Sequence, residues 1–219
     1  MTELLKPYDI VSLGATCSCK KYISNHIKKD MFQIFDYIGT SMWSIVELLK
    51  NDFAGLLEKD KLVKMPIRSQ TELIWTNVTY YVRFLHDLMD AKHIDKTFEK
   101  NERRIIRFKS LINQNKPLIL MRLEESQKNR IQYEQFNKYL DKTEHEYVVE
   151  LSQWLKLNTK LKFRILYLGT KETQYDAENN IIFIKTNIDE HTWDNCNVTM
   201  NNLINENNEV IKLSLIDFE

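Results

Sequence analysis

The chain is poor in the residues that bend or break a backbone. Four glycines and three prolines in 219 residues leave little linker-like sequence and no visible domain boundary, so a single α/β domain spanning 1–219 is expected. Cysteine is scarce as well. There are three, an odd number, and Cys17 and Cys19 stand one residue apart. That is no disulfide framework and points to a reducing compartment, the cytoplasm or, for a viral chain, the host cytoplasm or the virion. Cys17-Ser18-Cys19 also lacks the two-residue spacer of a zinc knuckle, so neither a metal nor another cofactor is expected. A net charge is missing: 31 basic side chains balance 31 acidic ones, which argues against a nucleic-acid partner gripped by a broad basic face. No apolar run approaches membrane-spanning length, and Met1-Thr2-Glu3-Leu4-Leu5-Lys6 is too short and too acidic for a signal peptide, so no membrane partner is expected. Internal repeats and low-complexity tracts are absent too.

What is present is an ordinary folding composition, 43% hydrophobic and 28% charged, in a chain long enough to bury a core without staples. The abundance of Lys, Asn and Ile reads as the coding bias of an AT-rich genome, viral or protist. Short apolar runs alternate with helical stripes. Ile10 to Leu13, Pro117 to Leu123, Phe163 to Gly169 and Asn180 to Lys185 read as buried strands, and Glu209 to Ile216 as a further one. Helices are expected from Lys20 to Ile27, from Ser41 as N-cap through Leu49, from about Thr97 to Ile112, over Gln135–Leu140, over Glu144–Leu155, and through Leu203-Ile204. Leu62–Ile67 is an edge-strand candidate because Pro66 excludes a central position. Leu73–Phe84 is extended and could add an antiparallel edge. This alternation predicts a three-layer α/β sandwich with a mainly parallel central sheet, Rossmann-like in layout. Trp43, Phe108, Leu151 and Trp154 lie on apolar stripes and are expected in the core. Arg103, Arg104 and Arg107 read as a solvated, salt-bridged face.

The stretch that invites chemistry is Tyr8-Asp9-Ile10-Val11-Ser12-Leu13-Gly14-Ala15-Thr16-Cys17. A strand that enters a helix through a glycine turn delivers the turn residues to the carboxyl end of a sheet, where open α/β sheets place their ligand sites. A thiol at a helix start has its thiolate favoured by unpaired N–H groups, so Cys17 is a candidate nucleophile whose sulfur should be partly accessible. The other reading makes Cys17 and Cys19 small buried fillers. A nucleotide site at Gly14 is disfavoured, since no second or third glycine follows at fingerprint spacing.

These residues resemble a known family. Ser12-Leu13-Gly14-Ala15-Thr16-Cys17 is similar to the opening of the domain of unknown function 1796 family, described as papain-like cysteine peptidases. Phe35-Asp36-Tyr37 matches its phenylalanine-aspartate-aromatic element, with Tyr37 where tryptophan is expected. Phe84-Leu85-His86-Asp87 matches its histidine-aspartate pair, and Arg103–Phe108 and Leu118–Arg122 match a basic helix and a strand ending near an arginine. The resemblance covers about residues 8–190. It implies a papain-like cysteine peptidase with His86 as base. Together with the strand before Cys17, which is closer to an esterase-like layout, the expectation is a cysteine-dependent hydrolase, peptidase-like or esterase-like, with Cys17 as nucleophile, acting on a peptide or ester substrate; a protein partner stays open. Asp36 or Asp87 could orient the base. Neighbours on an extended chain point to opposite faces, which favours Asp36, although Asp36 could instead cap the helix that begins near Ser41. Asp189 and His191 form a competing late pair, while Glu124 and Glu125 could meet a cation or a sugar hydroxyl. Trp75, Tyr80 and Tyr81 read as packing residues. The papain-like description implies a cysteine at the head of a helix facing a separate β domain, whereas the residues here put a sheet strand before Cys17. The alternative to an enzyme is a non-catalytic interaction or virion-associated module in which the same motif is architectural.

Overall fold

In the computed structural model all residues are described except 1–3, 16, 28–31, 67–72, 85–92, 126–140, 187–192 and 219. Two sheets are present among them. The larger has five strands: β1 (Asp9–Ser12), β5 (Leu118–Leu123), β6 (Phe163–Gly169), β8 (Ile181–Lys185) and β7 (Gln174–Asp176), side by side in that order. The first four are mutually parallel, and β7 runs antiparallel to β8. The smaller sheet is antiparallel, made of β2 (Leu62–Pro66), β3 (Leu73–Asn77) and β4 (Val82–Arg83).

All six residues of β5 are buried, as a parallel strand covered on both faces requires. Its side chains alternate between two cores. Leu118 and Leu120 join one with Val11, Ile165, Tyr167 and Phe183, while Ile119, Met121 and Leu123 join the other with Ile10, Leu166 and Ile182. The first core is closed by three helices, α2 (Met42–Lys50), α3 (Ile94–Ile112) and α4 (Glu144–Asn158). The second is closed by α1 (Ser18–Tyr22), α5 (Trp193–Glu206) and α6 (Asn208–Leu215). Each fully buried Leu or Ile contributes about 1.5–3 kcal/mol, so these two apolar layers fix the sheet between helices. The three-layer α/β sandwich with a mainly parallel central sheet is thus the fold. The separate barrel-and-helix layout does not occur among the described residues.

Four details depart from the expectations. Residues 209–216 are helical, not a strand: α6 buries Ile211, Ser214 and Leu215 at helical spacing and leaves Leu213 60% exposed. The outer side of β8 is already taken by β7, a three-residue strand with no sequence signal of its own. Leu73–Phe84 does not extend the central sheet; it turns at residues 78–81 and forms the β3–β4 hairpin. Trp43 and Trp154 are only half-buried against the first core, whereas Phe108 and Leu151 are sealed. Arg104 is buried rather than solvated, its Nη1 donating to Asn101 Oδ1 at 3.1 Å. The expected edge strand β2 and the Ser41 N-cap, which accepts the Ser44 N–H at 3.1 Å, are present. The helix expected over Gln135–Leu140 lies outside the described residues.

Candidate active site

The carboxyl ends of β1, β5 and β6 converge where three of the four glycines sit. After β1 the chain turns through Gly14 (φ 71°) and Ala15 (φ 69°), both left-handed. A Cβ at Gly14 would collide with Thr40 Oγ1 and sit 3.3 Å from the Phe35 carbonyl oxygen, so this turn needs glycine for space as well as conformation. Ala15 has no such exemption and is held in a sparsely populated conformation. Gly39, bridged to Arg83, leaves room for that arginine's guanidinium, and Gly169 leaves room for Glu124.

Cys17 follows the turn as N-cap of α1, and its carbonyl accepts the Lys21 N–H at 2.9 Å. The helix continues as a π-helical turn over Ile23–Ile27. Cys17 is buried, 3% exposed, where a partly accessible sulfur was expected; Cys19, one step further, faces the second core. Neither is in a disulfide.

Asp36 is buried in the turn over residues 34–38. Its Oδ2 accepts the Gln33 N–H at 2.6 Å, so it closes its own turn, and Ser41 caps the following helix. Burial pushes the Asp36 carboxyl up to about 6, against the pull of Gln33, Lys20, Arg104 and Arg107. Those cations come from two helices. Lys20 of α1 is buried with its ammonium 4.6 Å from the Phe32 ring centre, and Arg107 of α3 donates to the Phe32 carbonyl oxygen at 3.0 and 3.2 Å. Asp36 and the first turn after Cys17 therefore share a neighbourhood through Lys20. His86, Asp87, Asp189 and His191 lie outside the described residues.

What sequence reasoning missed is a buried ionic network under this turn. Arg122 of β5 is wholly buried. Its Nε and Nη2 both lie 2.8 Å from Glu144 Oε1, and Nη1 donates to the Leu13 carbonyl at 2.8 Å and the Thr40 carbonyl at 3.0 Å. Glu144 Oε2 accepts the Glu125 N–H at 3.1 Å, and Arg83 Nη2 reaches Glu125 Oε1 at 2.9 Å. Burial drives the Glu144 carboxyl above its ordinary range, Arg122 pulls it back, and Glu125 adds to the rise. The neighbouring Tyr167 phenol is pushed up by burial and by Glu144 and Glu124. Glu124 itself is only half-buried and accepts the Thr170 N–H at 2.5 Å. A signal for the network was present: Arg122 continues the Leu118, Leu120 face, so an arginine stands where the pattern calls for an apolar residue.

Trp75 is half-buried; Tyr80 and Tyr81 are buried, with the Tyr80 hydroxyl donating to the Ala54 carbonyl at 2.6 Å. Among the described residues no group of three or more His, Cys, Asp or Glu could hold a metal ion, and no helix is long and apolar enough to cross a membrane.

No curated protein and no solved structure matches the chain. A family model does, over residues 8–173, a stretch that takes in the Cys17 turn, Asp36, His86 and Arg122 and stops short of Asp189 and His191. The chain belongs to the family described as Putative papain-like cysteine peptidase (DUF1796).

Proposed function

We propose that the protein is a cysteine-dependent hydrolase of peptide or ester bonds, with Cys17 as nucleophile, His86 as base and Asp36 as the acid that orients it. The observation that carries this reading is the left-handed Gly14–Ala15 turn between β1 and Cys17. A sharp strand-to-helix turn is how a nucleophile is lifted over the carboxyl end of a parallel sheet, and backbone strain at a non-glycine residue is a pointer to function. Family membership supports the cysteine chemistry at the coarse level. In this mechanism His86 takes the Cys17 proton, and the thiolate sulfur attacks the acyl carbon. The leaving amine or alcohol departs with the proton held by His86, and water then cleaves the thioester. Asp36, with its pKa about 6, is mostly ionised at neutral pH and suited to hold an imidazolium.

A second reading is favoured by one observation, the 3% exposure of Cys17. It makes the turn architectural and the protein a non-catalytic module. Treatment of the folded protein with an iodoacetamide probe at neutral pH, followed by peptide mapping, decides between the two. Rapid labelling of Cys17 ahead of Cys19, with Cys17→Ser and His86→Ala each lowering hydrolysis of a peptide or ester panel by about 10⁴-fold, supports the enzyme. A Cys17 that labels only after unfolding establishes the module.

A further inference from the structure

The end of the sheet opposite Cys17 carries a charge imbalance that the hydrolase reading does not use. In a chain of zero formal charge, Lys156-Leu157-Asn158-Thr159-Lys160-Leu161-Lys162-Phe163-Arg164 holds four cations and no acid. This stretch closes α4 and enters β6 at the amino end of the sheet. It lines a cavity of about 350 Å³, to which Asn180 and Asp217 also contribute. Arg164 is 9% exposed. Its Nε donates to the Ser214 carbonyl at 2.8 Å, and its Nη1 to the Phe163 carbonyl at 3.1 Å and Asn180 Oδ1 at 3.2 Å. The guanidinium lies 4.8 Å from the Phe218 ring centre and 5.5 Å from that of Tyr175. Its plane is thus fixed before any ligand arrives. Nη2 has no protein partner among the described residues, and it is not sealed from solvent. Asp217 lines the same cavity without pairing with it.

A buried guanidinium is costly unless its charge is met, and neutral carbonyls and ring faces meet it only in part. A rigid guanidinium that leaves only Nη2 open, beside the exposed Lys160 and Lys162, has the chemistry of a phosphate subsite: one fixed donor for a phosphate oxygen and ammonium groups next to it, while Lys156 Nζ donates to the Glu178 carbonyl. We infer that this cavity binds a phosphate dianion, free or as a phosphomonoester, in contact with Arg164, Lys160 and Lys162. The site is independent of Cys17.

Thermal unfolding of the full chain, titrated with inorganic phosphate, phenyl phosphate or sodium chloride at matched ionic strength, tests it. A saturable rise in midpoint is expected with a phosphate species and not with chloride. Tighter binding of phenyl phosphate would identify a phosphomonoester ligand, and tighter binding of inorganic phosphate the free ion. The Lys160→Gln/Lys162→Gln variant changes only exposed side chains, so it should fold as the parent does and bind at least five-fold more weakly. An equal response to chloride, or unchanged binding in that variant, overturns the inference.

Discussion

The two ends of the central sheet each bury one arginine in a strand, and they treat its charge in opposite ways. At the carboxyl end Arg122 meets Glu144, and Arg83 meets Glu125, inside the protein. The remaining donor goes to two backbone carbonyls, Leu13 and Thr40, in the loops around Cys17. At the amino end Arg164 finds carbonyls, an amide and two aromatic rings, and no carboxylate among the described residues. The first arrangement is self-neutralised and acts as a brace: it ties β5, α4 and two loops to one point. The second leaves a positive field facing a cavity. Two arginines in equivalent β-strand settings therefore serve different purposes, and the difference lies in the partners supplied by the flanking helices.

The largest effect should come from breaking the brace. Arg122→Leu leaves Glu144 buried without its cation and orphans two carbonyls, a loss of about 3–5 kcal/mol. Arg164→Leu removes hydrogen bonds to neutral acceptors and puts an apolar side chain beside Phe218, a loss of only about 1–2 kcal/mol. Urea unfolding of both variants measures the contrast, and equal losses would erase it. Arg122→Leu combined with Glu144→Leu should be more stable than Arg122→Leu alone, since no buried charge is left unmatched.

Next in size is Asp36, a buried charge near Cys17 that lies outside the brace. Its carboxyl binds its proton more tightly in the folded state, about 6 against 3.8. Folding is therefore favoured by the neutral acid, and stability falls as pH rises from about 4 to about 6. The shift corresponds to something on the order of 3 kcal/mol, missing at neutral pH. Asp36→Asn can keep the bond from the Gln33 N–H and abolishes the charge. It should match the parent below pH 4 and exceed it at pH 8 by up to that amount, measured by urea unfolding across the range. An Asp36→Asn protein no more stable at pH 8 would mean that Lys20, Arg104 and Arg107 already neutralise the carboxylate, as Glu144 does for Arg122. If Asp36 orients His86, the same variant should lose hydrolysis while gaining stability.

Much of this architecture was legible because strand and helix periods are written locally. The runs at Ile10, Leu120, Leu166 and Phe183 are buried on both faces, and no other element accommodates them. The Cys17 turn was legible from Gly14 and the helix after it. Of the ionic brace only Arg122 was legible, as a charge on an apolar strand face; its pairing was not, because Glu144 and Glu125 come from other parts of the chain and only the fold makes them its neighbours. The C-terminal helix was misread for a related reason: Val210, Ile211, Leu213 and Leu215 suit a strand as well as a helix, and the choice was made by β7 occupying the sheet edge. Arg104 turned inward because Asn101, one helical turn earlier, offers an acceptor that a charge pattern does not reveal.

The smallest effect concerns how the brace is seated. Glu144 is the first residue of α4, directly after Thr143, which forms a capping box with Glu146. The Thr143 N–H and hydroxyl each donate to Glu146 Oε2 at 2.6 Å, and the hydroxyl accepts the Glu146 N–H at 3.4 Å. These bonds hold the Glu146 carboxyl below its ordinary range, first through the Thr143 side chain and then through its backbone. Their contribution is thus present at neutral pH and lost as pH falls through the depressed value. The box is exposed to water, so Thr143→Ala should cost about 1 kcal/mol at neutral pH and less in acid. Its bearing on the comparison appears in a double-mutant cycle. If the cap fixes the turn that presents Glu144 to Arg122, Thr143→Ala should cost less in the Arg122→Leu background, with a coupling of about 0.5 kcal/mol or more. Strict additivity in urea unfolding would mean that the brace holds Glu144 without help from the cap.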